Sequence, residues 1–422
     1  MQVIRVRGGN DLRGSVEVEG AKNSVLKLMA ACVLCQGIFK ITRVPNISDV
    51  LVMKQVLERL GADVRLEDKC LTINTQELDK FETPYELVNK MRASISVLGP
   101  LLARFGKAQV SMPGGCQIGA RKLDLHFSAL SALGVDFKFE HGTIYATAPQ
   151  GLIGNKVNLE FPSVGATENL MMAAVRAQGC TEISNAAREP EIVDLANFLN
   201  EMGAKISGAG SPIISIEGVQ AHELHSATHE TVGDRIEAGT FLVAGALSGG
   251  PVEVRGVKPE HLGIVLRKFE DMGCVLELSD NSICISRSQP LKPVTIQTLP
   301  FPGFPTDMQA QFMVLAAFAE GNSIITENVF ENRFMFAAEL ARMGVEVNIE
   351  GHHALVKGCK ELSGAPVAST DLRGGASLVL AGLMAKGQTE VSGVEHIMRG
   401  YERYVEKLQS LGANLELCEL EV

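Results

Sequence analysis

The chain has 422 residues, 46% of them hydrophobic and 21% charged, enough to bury more than one full core without disulfide or metal staples. Its 49 acidic residues outnumber 39 basic ones for a formal net charge of −10, which excludes a general attraction to nucleic acid or anionic membrane and leaves any anionic ligand to a local cluster of cations. The longest apolar runs, such as 241–246, fall far short of the roughly 18 residues a membrane span needs. No signal peptide opens at Met1, and an odd number of cysteines, nine scattered from Cys32 to Cys418, suits a reducing compartment. A cytoplasmic, folded protein is expected.

One short phrase recurs along the chain: LERLGADV at 57–64, LSALGVDF at 130–137, LNEMGAKI at 199–206, FEDMGCVL at 269–276, LARMGVEV at 340–347 and LQSLGANL at 408–415. Each is an apolar, helix-spaced segment, then a glycine suited to a left-handed position after a helix, then alternating residues that suit a strand. The glycines at 61, 134, 203, 273, 344 and 412 repeat at about 70 residues, so six copies fill the chain. A second phrase precedes each: LMAACVLCQGIFKI from Leu28, LGPLLARFGKAQV from Leu98, LMMAAVRAQGCTEI from Leu170, FLVAGALSGGPVEV from Phe241, FMVLAAFAEGNSII from Phe312 and LVLAGLMAKGQTEV from Leu378. These helices are apolar all round and rich in Ala and Gly, so they should be enclosed on every side. Each unit then holds one buried helix, one amphipathic helix and about four short strands, an inside-out α/β arrangement closed into globular lobes rather than an open stack. The polar stretch 221–231, near the middle of the chain, is the best linker candidate.

In chain order, the candidates for chemistry begin with Lys22 and Asn23 in GAKN, ahead of the first buried helix, and Arg92 in NKMRAS. The segment SMPGGCQIGARKLD at 111–124 follows. Its glycines and Pro113 preclude regular structure, and Arg121 and Lys122 lie close enough to Cys116 to stabilise a thiolate, so Cys116 is the candidate reactive cysteine, the alternative being an idle surface thiol. Further on come Asp307 in FPGFPTDMQAQ, Arg333 in FENRF, Arg373 in DLRGGAS and Arg399 in HIMRGYE. These cations fall where helices should begin or in short polar breaks; at a helix start a cation worsens the local electrostatics unless an anion shares the site, which points to a polyanionic small ligand, a solvated surface charge being the alternative for any one of them. Asp307 is either the N-cap of the fifth buried helix or a general base. His222, His225 and His229 have the wrong spacing for a zinc helix, Cys32 and Cys35 lack a second pair, and no phosphate-cradling or dinucleotide loop appears, so no metal and no cofactor is expected.

The strings PGGCQIGAR, GAKN, PSVGATEN, NAAREPEIVDLANFL, DRIEAGTF, FPTDMQAQ, ENRFM and DLRGGASLVLAGL together closely resemble the UDP-N-acetylglucosamine 1-carboxyvinyltransferase family of enolpyruvyl transferases, which commit a sugar nucleotide to peptidoglycan. The resemblance covers the whole chain. It implies two lobes of three units each, 22–231 carrying the cysteine loop and 1–21 with 232–422, with the active site in the cleft between them. It implies transfer of the enolpyruvyl group of phosphoenolpyruvate to the 3′-hydroxyl of UDP-N-acetylglucosamine, with Cys116 as proton donor and Asp307 as base. By the same resemblance phosphoenolpyruvate is held by Lys22, Asn23, Arg121, Arg333, Asp371, Arg373 and Arg399. The sugar nucleotide is assigned to Arg92, Arg121, Lys122, Leu123, Asp124, Leu125, Phe161, Pro162, Ser163, Val164, Asp307 and Val329, and fosfomycin is the expected alkylating agent of Cys116. Related shikimate-pathway transferases share the six-unit architecture and lack the PGGC loop. Lys122, Gly374 and Met398 depart from the residues common in the family; Lys122 is expected to alter uracil contacts, and Gly374 with Gly375 to loosen a helix start.

Overall fold

Each of the six glycines that ends a repeated phrase has a positive φ: 106° at Gly61, 90° at Gly134, 99° at Gly203, 91° at Gly273, 99° at Gly344 and 100° at Gly412. That conformation favours glycine because a side chain there crowds the backbone. It lets each amphipathic helix stop and turn directly into a strand. The computed structural model describes residues 2–83, 86, 92–112 and 123–419.

The helices alternate between two kinds. The buried series is α1 (Lys22–Ala31), α3 (Leu98–Phe105), α5 (Val164–Ala174), α7 (Arg235–Ser248), α9 (Gln309–Ala317) and α11 (Leu372–Met384). The amphipathic series is α2 (Ser48–Leu60), α4 (Asp124–Ser131), α6 (Pro190–Glu201), α8 (Gly263–Asp271), α10 (Ala337–Arg342) and α12 (Tyr404–Ser410). Every residue of α9 is buried, Gln309 and Gln311 included, as expected of a helix enclosed on all sides. Small residues allow the close packing: a Cβ at Gly239 would lie 2.6 Å from Met308, and one at Gly245 would lie 2.7 Å from Ile285. Gly374 belongs to the same pattern, since a Cβ there would lie 2.8 Å from Phe336. Glycine at 374 therefore permits tight packing at the start of α11, where the sequence suggested loosening.

Among the described residues there are six small sheets, five of four strands and one of three. They share one plan. The strand after a buried helix pairs in parallel with an edge strand and antiparallel with one strand of a hairpin, as 322–326 does with 295–297 and 353–357. In the three-stranded sheet the parallel position is held by an isolated bridge from Glu82 to Gln109. Two sheets borrow their parallel strand from elsewhere in the chain: Thr228–Glu230 joins Ile38–Thr42, and Gly14–Glu17 joins Val252–Arg255. The sixth hairpin is split across the chain, Asn414–Glu419 pairing with Gln2–Arg7.

Two compact units result, one of residues 2–19 and 233–419, the other of residues 20–112 and 123–232. Each has its own core. In the first, α7, α9 and α11 pack on one another; in the second, α3 packs against α5 and α1 against α6. The stretch 221–231 is not a free linker. A turn at Ala221–Glu223 leads to the edge strand Thr228–Glu230, whose alternation of exposed, buried and exposed residues puts His229 inside. A polar composition concealed a strand because its one inward residue is a histidine, paired with carboxylates of the buried Asp194 and the more exposed Glu201. No helix among the described residues is long and apolar enough to cross a membrane.

Candidate active site

In the unit of residues 2–19 and 233–419, three candidates converge. Asp307 lies in the turn Thr306–Met308 immediately before α9, and its carboxylate accepts from Arg333 Nη2 at 2.7 Å and from Arg373 Nη2 at 3.3 Å. Both arginine side chains are 3% exposed, while the carboxylate is 25% exposed. Its side chain does not cap α9, which begins without a side-chain cap. The N-cap alternative therefore falls, because the carboxylate is turned to the guanidinium groups and away from the helix backbone.

Sequence-local features aim these cations. Asp371 caps α11 by accepting from the backbone N–H of Arg373 at 2.9 Å and of Gly374 at 3.1 Å, which fixes Arg373 as the second residue of that helix. The Arg373 guanidinium lies 5.3 Å from the Tyr401 ring centre, and the Tyr401 hydroxyl is 2.9 Å from Thr240 Oγ1, to which Gln311 donates at 3.1 Å. Burial opposes the charge of Arg373, yet Tyr401, Asp307 and Asp234 outweigh it and hold the guanidinium above its ordinary range. Arg333 Nη1 and Arg373 Nε and Nη1 are buried without a hydrogen-bond acceptor among the described residues. Buried donors of this kind are costly unless a ligand or water meets them, and an anion is the kind of ligand that suits them. Glu327 anchors the neighbouring segment: it accepts from Thr298 and Thr306 hydroxyls at 2.9 Å each and from the N–H of Val329 at 2.8 Å. Arg333 stands in turns ahead of α10, and Arg399 is half-buried after the short helix Val394–Ile397. Arg399 therefore lies in a short break after a helix, the second of the two placements the sequence offered.

In the unit of residues 20–112 and 123–232, Lys22 opens α1 with its Nζ 2.8 Å from Asp49 Oδ2. The backbone carbonyl of Asn23 accepts from Lys27, which also pairs with Glu168 at 3.0 Å. Full burial pushes the Glu168 carboxyl up to about 7, against the pull of Lys27. A second group of candidates occupies the beginnings of two packed helices. Ser163 caps α5 by accepting from Ala166 N at 3.3 Å, and Val164 is the first residue of that helix. Leu123 precedes α4, whose first residues are Asp124 and Leu125. A Cβ on Gly165 would lie 3.0 Å from the His126 ring, so the missing side chain lets the two helix starts approach. His126 in turn lies 3.0 Å from Asn169 Nδ2. Phe161 is 42% exposed there and Pro162 half-buried.

Cys116, Arg121 and Lys122 lie outside the described residues. So does the side chain of Arg92, whose backbone begins the turn Arg92–Val97. His222 and His225 are exposed, and Cys32 and Cys35 are buried. Sequence reading missed Asp49, Glu327 and Tyr401. Tyr401 follows Arg399 by two residues in RGYE and carried a signal; Asp49 and Glu327 carried none, since an acid in an amphipathic helix or in a loop is ordinarily solvated.

A family model described as EPSP synthase (3-phosphoshikimate 1-carboxyvinyltransferase) matches residues 6–408. The chain is 51% identical over 418 residues to UDP-N-acetylglucosamine 1-carboxyvinyltransferase 2 of Carboxydothermus hydrogenoformans, covering 99% of each. It is 49% identical over 419 residues to UDP-N-acetylglucosamine 1-carboxyvinyltransferase 1 of Staphylococcus aureus, again covering 99% of each. Among solved structures, the enolpyruvyl transferase NikO from Streptomyces tendae superposes with a TM-score of 0.89 at 26% identity, over 99% of this chain and 98% of that one. EPSP synthase from Acinetobacter baumannii shares the fold, with a TM-score of 0.76 at 19% identity over 99% and 100% of the two chains.

Proposed function

The chain belongs to the UDP-N-acetylglucosamine 1-carboxyvinyltransferase family of enolpyruvyl transferases, and on that premise we propose that it transfers the enolpyruvyl group of phosphoenolpyruvate to the 3′-hydroxyl of UDP-N-acetylglucosamine. Phosphate leaves, and the product is committed to peptidoglycan. The hydroxyl adds to C2 of phosphoenolpyruvate while C3 takes a proton. The tetrahedral intermediate then loses phosphate and a C3 proton, which restores the double bond in the product.

The observation that carries this reading is the pair Arg333 and Arg373, each 3% exposed, with unmet N–H donors beside the more exposed Asp307 carboxylate. Such a receptor suits a small ligand with two anionic groups next to a group able to accept a proton. Asp307 takes the proton of the sugar hydroxyl, and Cys116 supplies the proton to C3. Lys22, Asn23, Arg121, Asp371 and Arg399 complete the phosphoenolpyruvate set. The sugar nucleotide meets Arg92, Lys122, the helix starts at Leu123, Asp124 and Leu125 and at Phe161, Pro162, Ser163 and Val164, and Val329. The two substrates are cytoplasmic metabolites, and the reaction is placed there. Phosphate release from phosphoenolpyruvate should require UDP-N-acetylglucosamine and should not occur with shikimate 3-phosphate. Release with the latter acceptor alone would overturn the assignment.

A further inference from the structure

His229 is the inward residue of the edge strand Thr228–Glu230, 8% exposed, opposite Ile41 and with its ring 5.3 Å from that of Phe198. Its Nδ1 lies 2.9 Å from Glu201 Oε2 and its Nε2 3.1 Å from Asp194 Oδ1, both carboxylates belonging to α6. Ionised carboxylates only accept, whereas a neutral imidazole has a single N–H, so both contacts are satisfied when both ring nitrogens carry a proton. The other oxygen of Asp194 accepts from the Ser24 hydroxyl and from Val232 N at 3.3 Å. Val232 O accepts from Ala21 N at 2.7 Å. Ser24 is the third residue of α1, directly after Lys22 and Asn23. One carboxylate therefore joins the histidine, the first turn of α1 and the end of the 228–232 segment.

We propose that His229 is a positioning residue for phosphoenolpyruvate: held as an imidazolium between Asp194 and Glu201, it keeps Asp194 turned toward Ser24 and Val232, and so fixes the turn that carries Lys22 and Asn23. This rests on the reading of Lys22 as a cation for that substrate. Burial works against the charged ring, and Asp194 and Glu201, the titratable groups that act on it, outweigh burial and raise its pKa. Without the proton on Nε2, Asp194 Oδ1 would face a lone pair, and the carboxylate would lose the orientation that Ser24 needs.

The test is steady-state kinetics of the full chain with His229→Gln, Ser24→Ala, the double variant and Lys22→Ala. His229→Gln and Ser24→Ala should each raise KM for phosphoenolpyruvate about fivefold or more, with kcat within about threefold and KM for UDP-N-acetylglucosamine unchanged, as for loss of a charged hydrogen bond. In the Ser24→Ala background, His229→Gln should add less than about twofold, because both act through Asp194. A fall in melting temperature with unchanged KM for phosphoenolpyruvate, or full additivity of the two changes, overturns the proposal. Ser24→Ala removes one hydroxyl and leaves the buried ring in place, so an unchanged KM for phosphoenolpyruvate in that variant overturns the proposal even if His229→Gln fails to fold. An unaffected KM in Lys22→Ala would instead sink the role of Lys22, and the coupling between Ser24 and His229 would still judge His229.

Discussion

Arg333 Nη2 lies 2.7 Å from Asp307 Oδ1, and the arginine side chain is 3% exposed. Replacing Asp307 by Asn thus changes two things together. The carboxamide cannot take the hydroxyl proton, so turnover should fall about 10²- to 10⁴-fold. Two buried guanidinium groups also lose their counter-charge, so the melting temperature should fall as well; a substituted helix cap would leave it nearly constant. Turnover above about a tenth of normal would remove Asp307 as the base.

Arg373 presents a planar fork over the Tyr401 ring while one nitrogen reaches Asp307. Arg373→Lys keeps the charge and loses the fork, which is not a conservative change at such a site. KM for phosphoenolpyruvate should rise about tenfold or more, equivalent to one lost charge-assisted bond. An unchanged KM in initial-rate measurements would place the anion elsewhere.

Glu168 should mark the pH dependence of stability. Its carboxyl is pushed up to about 7 from an ordinary 4.5, so between these values the folded state holds more protons than the unfolded state. Stability from this group is complete below the unfolded value and is lost as pH rises toward about 7, by at most about 3 kcal/mol. Urea unfolding of Glu168→Gln at pH 5 and pH 7 should show the variant gaining on the parent as pH rises. A constant difference would mean that the carboxyl titrates normally.

Cysteine labelling should separate charge from exposure. Burial pushes Cys35 and Cys274 up to about 11 and Cys32 well above its ordinary value, which protects all three. Cys180 is exposed. Iodoacetamide should therefore modify Cys180, whereas fosfomycin, an anionic epoxide, should modify Cys116 first. Peptide mapping that finds the epoxide mainly on Cys180 would exclude Cys116 from the mechanism.

Lys407 Nζ sits 3.0 Å from Glu19 and 2.7 Å from Glu237, with all three side chains largely buried. Lys407→Met leaves two buried acids without their cation and should cost about 3 kcal/mol or more in urea unfolding. A loss below about 1 kcal/mol would show that the acids protonate cheaply.

The repeat was legible because two local rules recur together. A glycine such as Gly273 is demanded by φ of 91°, and a helix such as α9 can be apolar all round only if it is enclosed. Arg333, Arg373 and Asp307 were legible as charges set beside constrained turns. Their mutual contacts were not, since 66 residues separate Asp307 from Arg373. The joining of Ser24, Asp194 and His229 was hidden for the same reason: Asp194 lies 170 positions after Ser24, and no local pattern encodes a partner at that distance. The strand at Thr228–Glu230 was lost to polarity, its inward position being filled by a histidine whose partners lie on another element.

The pairing of Gln2–Arg7 with Gln388–Ser392 and Asn414–Glu419 sets an order on synthesis. Gln2–Arg7 is made long before its neighbours and is among the last strands to pair, because residues 388–419 must first be synthesised. The unit of residues 20–112 and 123–232 is made early and can fold while translation continues. Gln2–Arg7 meanwhile waits with open backbone donors and acceptors, a template for stray pairing until residues 388–419 emerge. In cells, a ribosome stalled before residues 388–419 emerge would therefore leave Gln2–Arg7 exposed as an unsatisfied strand.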